Sequence, residues 1–379
     1  MTYHDDPRPS RRSSSRPWLI ATPLAVVVAL GVAWTFMWFY AASEAEAALN
    51  DWRAEQAREG RAFSCGKQVN GGFPFRIEVR CLDAAAELKD AQPPLSIKVK
   101  QVLAVAQVWN PKLIIAEFTG PLTAAPAGGA PYATATWTLA QASLRGMPAV
   151  LERASIVVDG LKLSGAAPGT VLFDSRHAEF HARVQFGSWP SNPAFDLALK
   201  LEAATAPAVH AYMAQPFDAD VLAVLHGLKD FSPKPLAVRL REWQAAGGKL
   251  EIQSARLVQS EALATTSGVL ALTQQGRLDG TLKLSAAGLE RYLPTMGEGR
   301  GGALSLDRAA PALNAIERAV PGLGARLAPQ APNLQAGLLA LLGQPADIEG
   351  KRGVTVPVRF TDGAAAFGPI PLGEVPALF

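Results

Sequence analysis

The chain has 379 residues, 49% of them apolar and 18% charged, with a formal net charge of +3 at pH 7. That is ample material for a packed core and too little charge for a disordered chain. The 36 basic and 33 acidic residues form no Lys/Arg run and no aromatic-basic interleaving, so nucleic acid is not an expected partner. The 33 Gly and 29 Pro, scattered between short apolar runs, punctuate many turns and lean the fold toward β.

The first predicted element is the uncharged run from Trp18 to Ala42. As a helix it is about 37 Å long at 1.5 Å per residue, enough to cross the hydrocarbon of a bilayer with some tilt. Trp18 at one end, and Trp34, Trp38, Phe39 and Tyr40 at the other, fall where amphipathic rings favour the headgroup boundary. Arg8, Arg11, Arg12 and Arg16 precede the run and Glu44 and Glu46 follow it, so the positive-inside rule predicts residues 1–17 to be a cytoplasmic tail. The alternative is a cleaved signal peptide, with Tyr40-Ala41-Ala42-Ser43 offering small residues for cleavage; the length of the run and its bulky aromatic end argue for an anchor. Arg11-Arg12 lacks the apolar residue a twin-arginine signal needs, since Ser13-Ser14-Ser15 follows. Ser43 and Glu46 read as a capping box and Gly60 as a stop, which predicts an exposed stalk helix over residues 43–62.

Residues 63–379 form the predicted exported domain. Phe75, Ile77, Val79 and Cys81 alternate with Arg76, Glu78 and Arg80, the pattern of a half-buried strand. The same period-two pattern marks Ala178 to Phe186, Phe195 to Leu201, and Leu278 to Leu284. Further strands are expected at Ile97 to Val108, Leu113 to Phe118, Tyr132 to Leu139, Ser155 to Val158, Lys249 to Gln253 and Val354 to Phe360. Asp159-Gly160, Asp279-Gly280 and Asp362-Gly363 are turn or bulge dipeptides, the last closing a terminal hairpin. Helices are the minority: one capped by Asp218 and carrying Val221, Leu222, Leu225 and Leu228, and two between Pro311 and Gly343. The predicted class is α+β, mostly β: an N-terminal transmembrane helix, then an elongated domain of curved antiparallel sheets with a few packed helices.

Cys65 and Cys81 are the only cysteines. In an oxidising compartment they read as a disulfide, the alternative being two buried thiols, since Cys81 sits on an apolar face. His177, Glu179 and His181 share one face of a strand, but side chains along one strand do not converge on a tetrahedral metal, and a solvated polar face is the expected role. Gly297-Glu298-Gly299-Arg300-Gly301-Gly302 matches the dinucleotide glycine pattern without a βαβ unit around it and reads as a surface loop. His210 and His226 have no matched nucleophile or acid neighbour, and no hydrolase, zincin or P-loop signature occurs. No catalytic residue, cofactor or metal is therefore assigned.

Trp52 after the helix, Cys65, the run Gly72-Phe73-Pro74-Phe75-Arg76 and Cys81 carry a resemblance. With Trp109-Asn110-Pro111, Gly120-Pro121, the stretch Gly247 to Leu293 and the tail Gly373 to Phe379, they resemble the bacterial domain-of-unknown-function family number 2125. That resemblance brings no activity for individual residues. More distantly the pattern is similar to AsmA-like envelope proteins, which pair a membrane helix with long curved sheets and are associated with phospholipid movement or envelope integrity. The resemblance implies a single-pass bacterial inner-membrane protein with a periplasmic domain that binds or shields lipid, without catalysis. The alternatives are a scaffold for envelope proteins and a hydrolase with a dispersed site. If the predicted helices Val221 to Leu228 and Leu334 to Leu342 leave part of the apolar face open, inward positions such as Leu199 and Leu282 face lipid.

Overall fold

The computed structural model describes residues 18–89, 91, 93–146, 151–167, 169–229, 234–288, 343–367 and 370–379. The predicted helices between Pro311 and Gly343, including Leu334 to Leu342, and the glycine run Gly297 to Gly302 lie essentially outside the described residues.

One helix, α1 (Trp18–Arg58), joins the predicted membrane span to the predicted stalk without a break. Pro23 sits near its start, where a missing backbone donor costs little. Ser43 does not cap a new helix: its hydroxyl donates back to the Tyr40 carbonyl at 2.8 Å, and Glu46 accepts from Asn70 of the first strand at 3.0 Å. Nor is this half of α1 a free stalk. Trp52 packs on Phe63, Arg53 donates to Gln68, and Gln56 accepts from the buried Arg61. The helix ends at Gly60, which adopts φ +83° and turns the chain back into a strand.

Among the described residues the strands form one 17-stranded antiparallel sheet. Its strands are β1 (Arg61–Gly71), β2 (Arg76–Leu88), β3 (Leu95–Gln107), β4 (Asn110–Pro126), β5 (Ala133–Thr136) and β6 (Leu139–Arg145). They continue with β7 (Arg153–Gly165), β8 (Val171–Val184), β9 (Ala194–Ala204), β10 (Phe217–His226), β11 (Lys249–Gln259), β12 (Ala262–Leu272) and β13 (Leu278–Ala287). The last four are β14 (Gln344–Ile348), β15 (Lys351–Thr361), β16 (Ala364–Phe367) and β17 (Ile370–Glu374). The order is a meander, each strand pairing with its sequence neighbours, with two local exceptions. β5 and β6 share one edge of β4 end to end, and β14 and β16 share one edge of β15 while β13 takes the other.

Several expectations need correction. Tyr132 to Leu139 is not one strand. Trp137 interrupts it, its indole donating to the Phe118 carbonyl at 2.8 Å while its ring lies against Gly120. The Asp218 segment is the strand β10, not a helix, because β9 and β11 satisfy its backbone on both sides. Asp218 caps nothing; its carboxylate accepts from the Ala203 amide at 2.7 Å. The helix actually present beside it is α2 (Leu236–Ala245), which buries Trp243. Phe186 lies beyond β8 in a turn, where it is fully exposed. Asp362 and Gly363, at φ +47° and +84°, close the β15–β16 hairpin, the conformation a two-residue type I′ turn requires.

Cys65 and Cys81 form a disulfide across β1 and β2, with Cα atoms 5.4 Å apart. A cross-link closing a loop of this size contributes about 3 kcal/mol in the chain-entropy model. It fixes the strand pair against which α1 rests.

Candidate functional site

Cross-strand partners in an antiparallel sheet project from the same face, so the register assigns each side chain to a side. One row runs Val79, Ala104, Ala116, Ala142, Ile156, Phe180, Leu199, Val221, Ala255, Thr266, Leu284, Val356, and only Thr266 is polar. The row beside it runs Ile77, Ala106, Ile114, Leu144, Ala154, Ala182, Leu197, Ala223, Ile252, Gly268, Leu282, Val358, without one polar side chain. Leu199 and Leu282, although on distant strands, thus belong to adjacent rows of one apolar face.

The opposite face, one residue out of step, reads Arg80, Leu103, Glu117, Gln141, Val157, Glu179, Lys200, Asp220, Arg256, Thr265, Ser285, Thr355. Only Leu103 and Val157 are apolar there. At about 4.8 Å per strand each row extends roughly 50 Å. Such a face normally packs on helices or a second sheet. Here Leu144, Ile156 and Phe180 remain 38%, 48% and 38% exposed, and among the described residues no second layer covers them.

Among the described residues the face is closed in three places, one of them the far end of both rows, where Val356 and Val358 are buried with Phe367, Leu284, Phe360 and Leu372. At the β9–β11 end, Ala204, Phe217 and Ala219 are buried with Phe173, Leu201, Met213 and Leu257, and the Gln259 amide holds the 3-10 turn Ala211–Ala214 by donating to the carbonyls of Tyr212 and Gln215. At the β1 edge, α1 lies over it: Gln68 and Asn70, opposite Cys81 and Val79, reach Arg53 and Glu46 of the helix.

The β1–β2 turn, Gly72 to Phe75, extends along the uncharged half of α1. The Trp34 indole donates to the Pro74 carbonyl at 2.8 Å and the Trp38 indole to that of Arg76 at 2.9 Å. Phe73 meets Trp38 edge-on at 5.4 Å and stacks on Phe39 at 6.3 Å. Gly72 is required here, because at φ +97° an added Cβ would lie 2.5 Å from the Arg76 carbonyl oxygen. Between this turn and residues Val27 to Met37 lies an open apolar hollow of about 1090 Å³. Sequence reading put Trp34 and Trp38 at the headgroup boundary; their bonds to residues some forty positions later left no local signal.

On the polar face His177 lies between two carboxylates, Nδ1 at 2.5 Å from Asp159 and Nε2 at 2.6 Å from Glu179, whose other oxygen is 3.3 Å from His181. Only the imidazolium can donate to both carboxylates, and these hydrogen bonds, that of Asp159 first, raise the His177 pKa above its ordinary 6.5. The bond from His177, then that from His181, lowers the Glu179 pKa below 4.5. Asp159 was not foreseen, because only the β7–β8 register brings it opposite His177. Among the described residues no group of His, Cys, Asp and Glu is arranged to hold a metal ion. His210 accepts from the Tyr212 amide and His226 lies 3.5 Å from Glu251.

The His177 cluster should make stability depend on pH. The raised His177 pKa gives a contribution complete below pH 6.5 and lost as pH rises through the folded value; the lowered Glu179 pKa gives one present above pH 4.5 and lost as pH falls through its folded value. Melting curves of the wild type and His177→Gln should therefore differ most in mildly acidic buffer and converge at alkaline pH. A difference that grows toward alkaline pH would reject the imidazolium assignment.

Together these features define a mostly β protein in which one helix, long and apolar enough to cross a membrane, is docked on a sheet with one apolar and one polar face. The chain belongs to the family described as uncharacterized protein conserved in bacteria (DUF2125), whose model matches residues 38–376. Comparison with curated proteins finds no match.

Proposed function

We propose that this is a bacterial inner-membrane protein, N-terminus cytoplasmic and sheet periplasmic, that binds or shields lipid on its apolar face without catalysing a reaction. The observation that carries the reading is the pair of adjacent rows described above, extending from Ile77 and Val79 to Val356 and Val358 with Thr266 their only polar side chain. Orientation is supported by the arginines before α1 and the glutamates after Ala42, and the oxidising compartment by the disulfide. The distant similarity to AsmA-like proteins points the same way, as analogy. Each buried CH₂ contributes about 0.8 kcal/mol, so ten methylenes of an acyl chain contribute about 8 kcal/mol, of the same order as the roughly 4–15 kcal/mol cost of association. Selection among chain lengths and headgroups is then weak.

The test is a photo-crosslinking residue at Leu199 or Leu282 in living cells, followed by mass spectrometry. Phospholipid adducts at both positions are expected. Adducts to protein alone would replace this reading with a scaffold for envelope proteins, and their absence from folded, abundant protein would remove its support.

A further inference from the structure

Resting on the membrane anchoring proposed above, we infer that the β1–β2 turn is itself inserted among the acyl chains of the leaflet by which α1 leaves the membrane, with Trp109 of the β3–β4 turn beside it. Trp34 and Trp38, which hold the turn, precede the first charged residue, Glu44, by ten and six positions, or about 15 and 9 Å of helix. The polar zone on each side of the hydrocarbon is only about 5–7 Å deep.

Hydrogen bonding agrees with this depth, because non-helical backbone there must find partners within the protein. The Gly72 carbonyl accepts from the Arg76 amide, Pro74 from Trp34, Phe75 from the Val108 amide, and Arg76 from Trp38. Pro74 has no N–H to satisfy. Indole donors directed at turn carbonyls are the arrangement this environment demands.

The turn also exposes aromatic rings. Phe73, Phe75 and Trp109 are 52%, 60% and 60% exposed, the last two rings 6.3 Å apart, and no charge intervenes before Arg76. Arg76 pairs with Glu78 and can extend toward headgroups. The hollow between turn and helix is then filled by acyl chain. Phe75 is followed at alternate positions by Ile77 and Val79, so the apolar rows of the sheet begin inside the bilayer.

The experiment uses the full chain in vesicles of phosphatidylethanolamine and phosphatidylglycerol. Benzoylphenylalanine at Phe75 or Trp109 should capture phospholipid, while the same group at Tyr132, exposed at the far end of β4, should not. Independently, a nitroxide on Phe75→Cys, the only free thiol because Cys65 and Cys81 are bonded, should collide more with oxygen than with an aqueous nickel chelate. Capture of protein alone, or a label open to the chelate, would overturn the insertion. Lipid at Phe75 with none at Leu199 or Leu282 would uphold it while rejecting a lipid-holding face; lipid at those two positions alone would do the reverse.

Discussion

Trp38→Ala should release the β1–β2 turn from α1. Trp38 is 6% exposed, packs edge-on against Phe39 and Phe73, and donates to the Arg76 carbonyl. Truncating a buried Trp costs about 3–5 kcal/mol in a water-facing core, and leaving a buried acceptor unpaired costs about 1–3 kcal/mol. If the site lies in lipid the first term shrinks, since the rings are already out of water, and the orphaned carbonyl dominates. Trp38→Phe separates the two, keeping the ring contacts and removing the donor. Hydrogen exchange of the amides of Gly72, Phe73, Phe75 and Arg76 should accelerate strongly in Trp38→Ala and part of the way in Trp38→Phe, with the β8–β9 amides unchanged. Equal protection in all three proteins would mean that the indole does not hold the turn.

A comparable loss is expected from Gly280→Ala. Gly268 and Gly280, at φ +147° and +140°, face one another's strands so closely that an added Cβ would lie 2.2 Å from the Thr281 and Val269 carbonyl oxygens respectively. An L-residue would suffer both a backbone conformation it rarely adopts and a clash with rigid main chain, together about 2–5 kcal/mol. Gly71→Ala is the control, since nothing lies within 4 Å of the added atom and no positive φ is needed. Melting points should fall by several degrees for Gly280→Ala and stay within about a degree for Gly71→Ala. Equal behaviour would show that β12 and β13 can separate without loss.

How much of this was legible depends on how local each cause is. The apolar run of α1, the alternation around Ile77 and Val79, and the Asp362-Gly363 turn carry their causes within a few residues, and sequence reading found them. The segment Asp218 to Leu228 does not, because Val221, Leu222, Leu225 and Leu228 fit a helical stripe as well as Phe217, Ala219, Val221 and Ala223 fit a strand face. Pairing with β9 and β11 decides it. α2 escaped notice because it is only ten residues long, starts after Pro235 without a side-chain cap, and buries only Trp243. That all strands join one sheet, with Leu199 and Leu282 in neighbouring rows, depends on the whole register. Asp159 beside His177 depends on it too.

The meander also has a bearing on the order of assembly. Among the described residues no strand pairs with one more than two places away in the chain. Each new strand can therefore be added to the edge left by the last, so the search for partners stays short for so wide a sheet. An unfinished sheet always ends in an unpaired edge, the feature most prone to recruit a foreign strand. For most of the chain that edge is covered by the next few residues synthesised. At β13 it must wait until Gly353 to Phe360 has emerged, far beyond Ala287. Chains truncated between those points would end in an open edge at β13, with most of the two apolar rows assembled behind it.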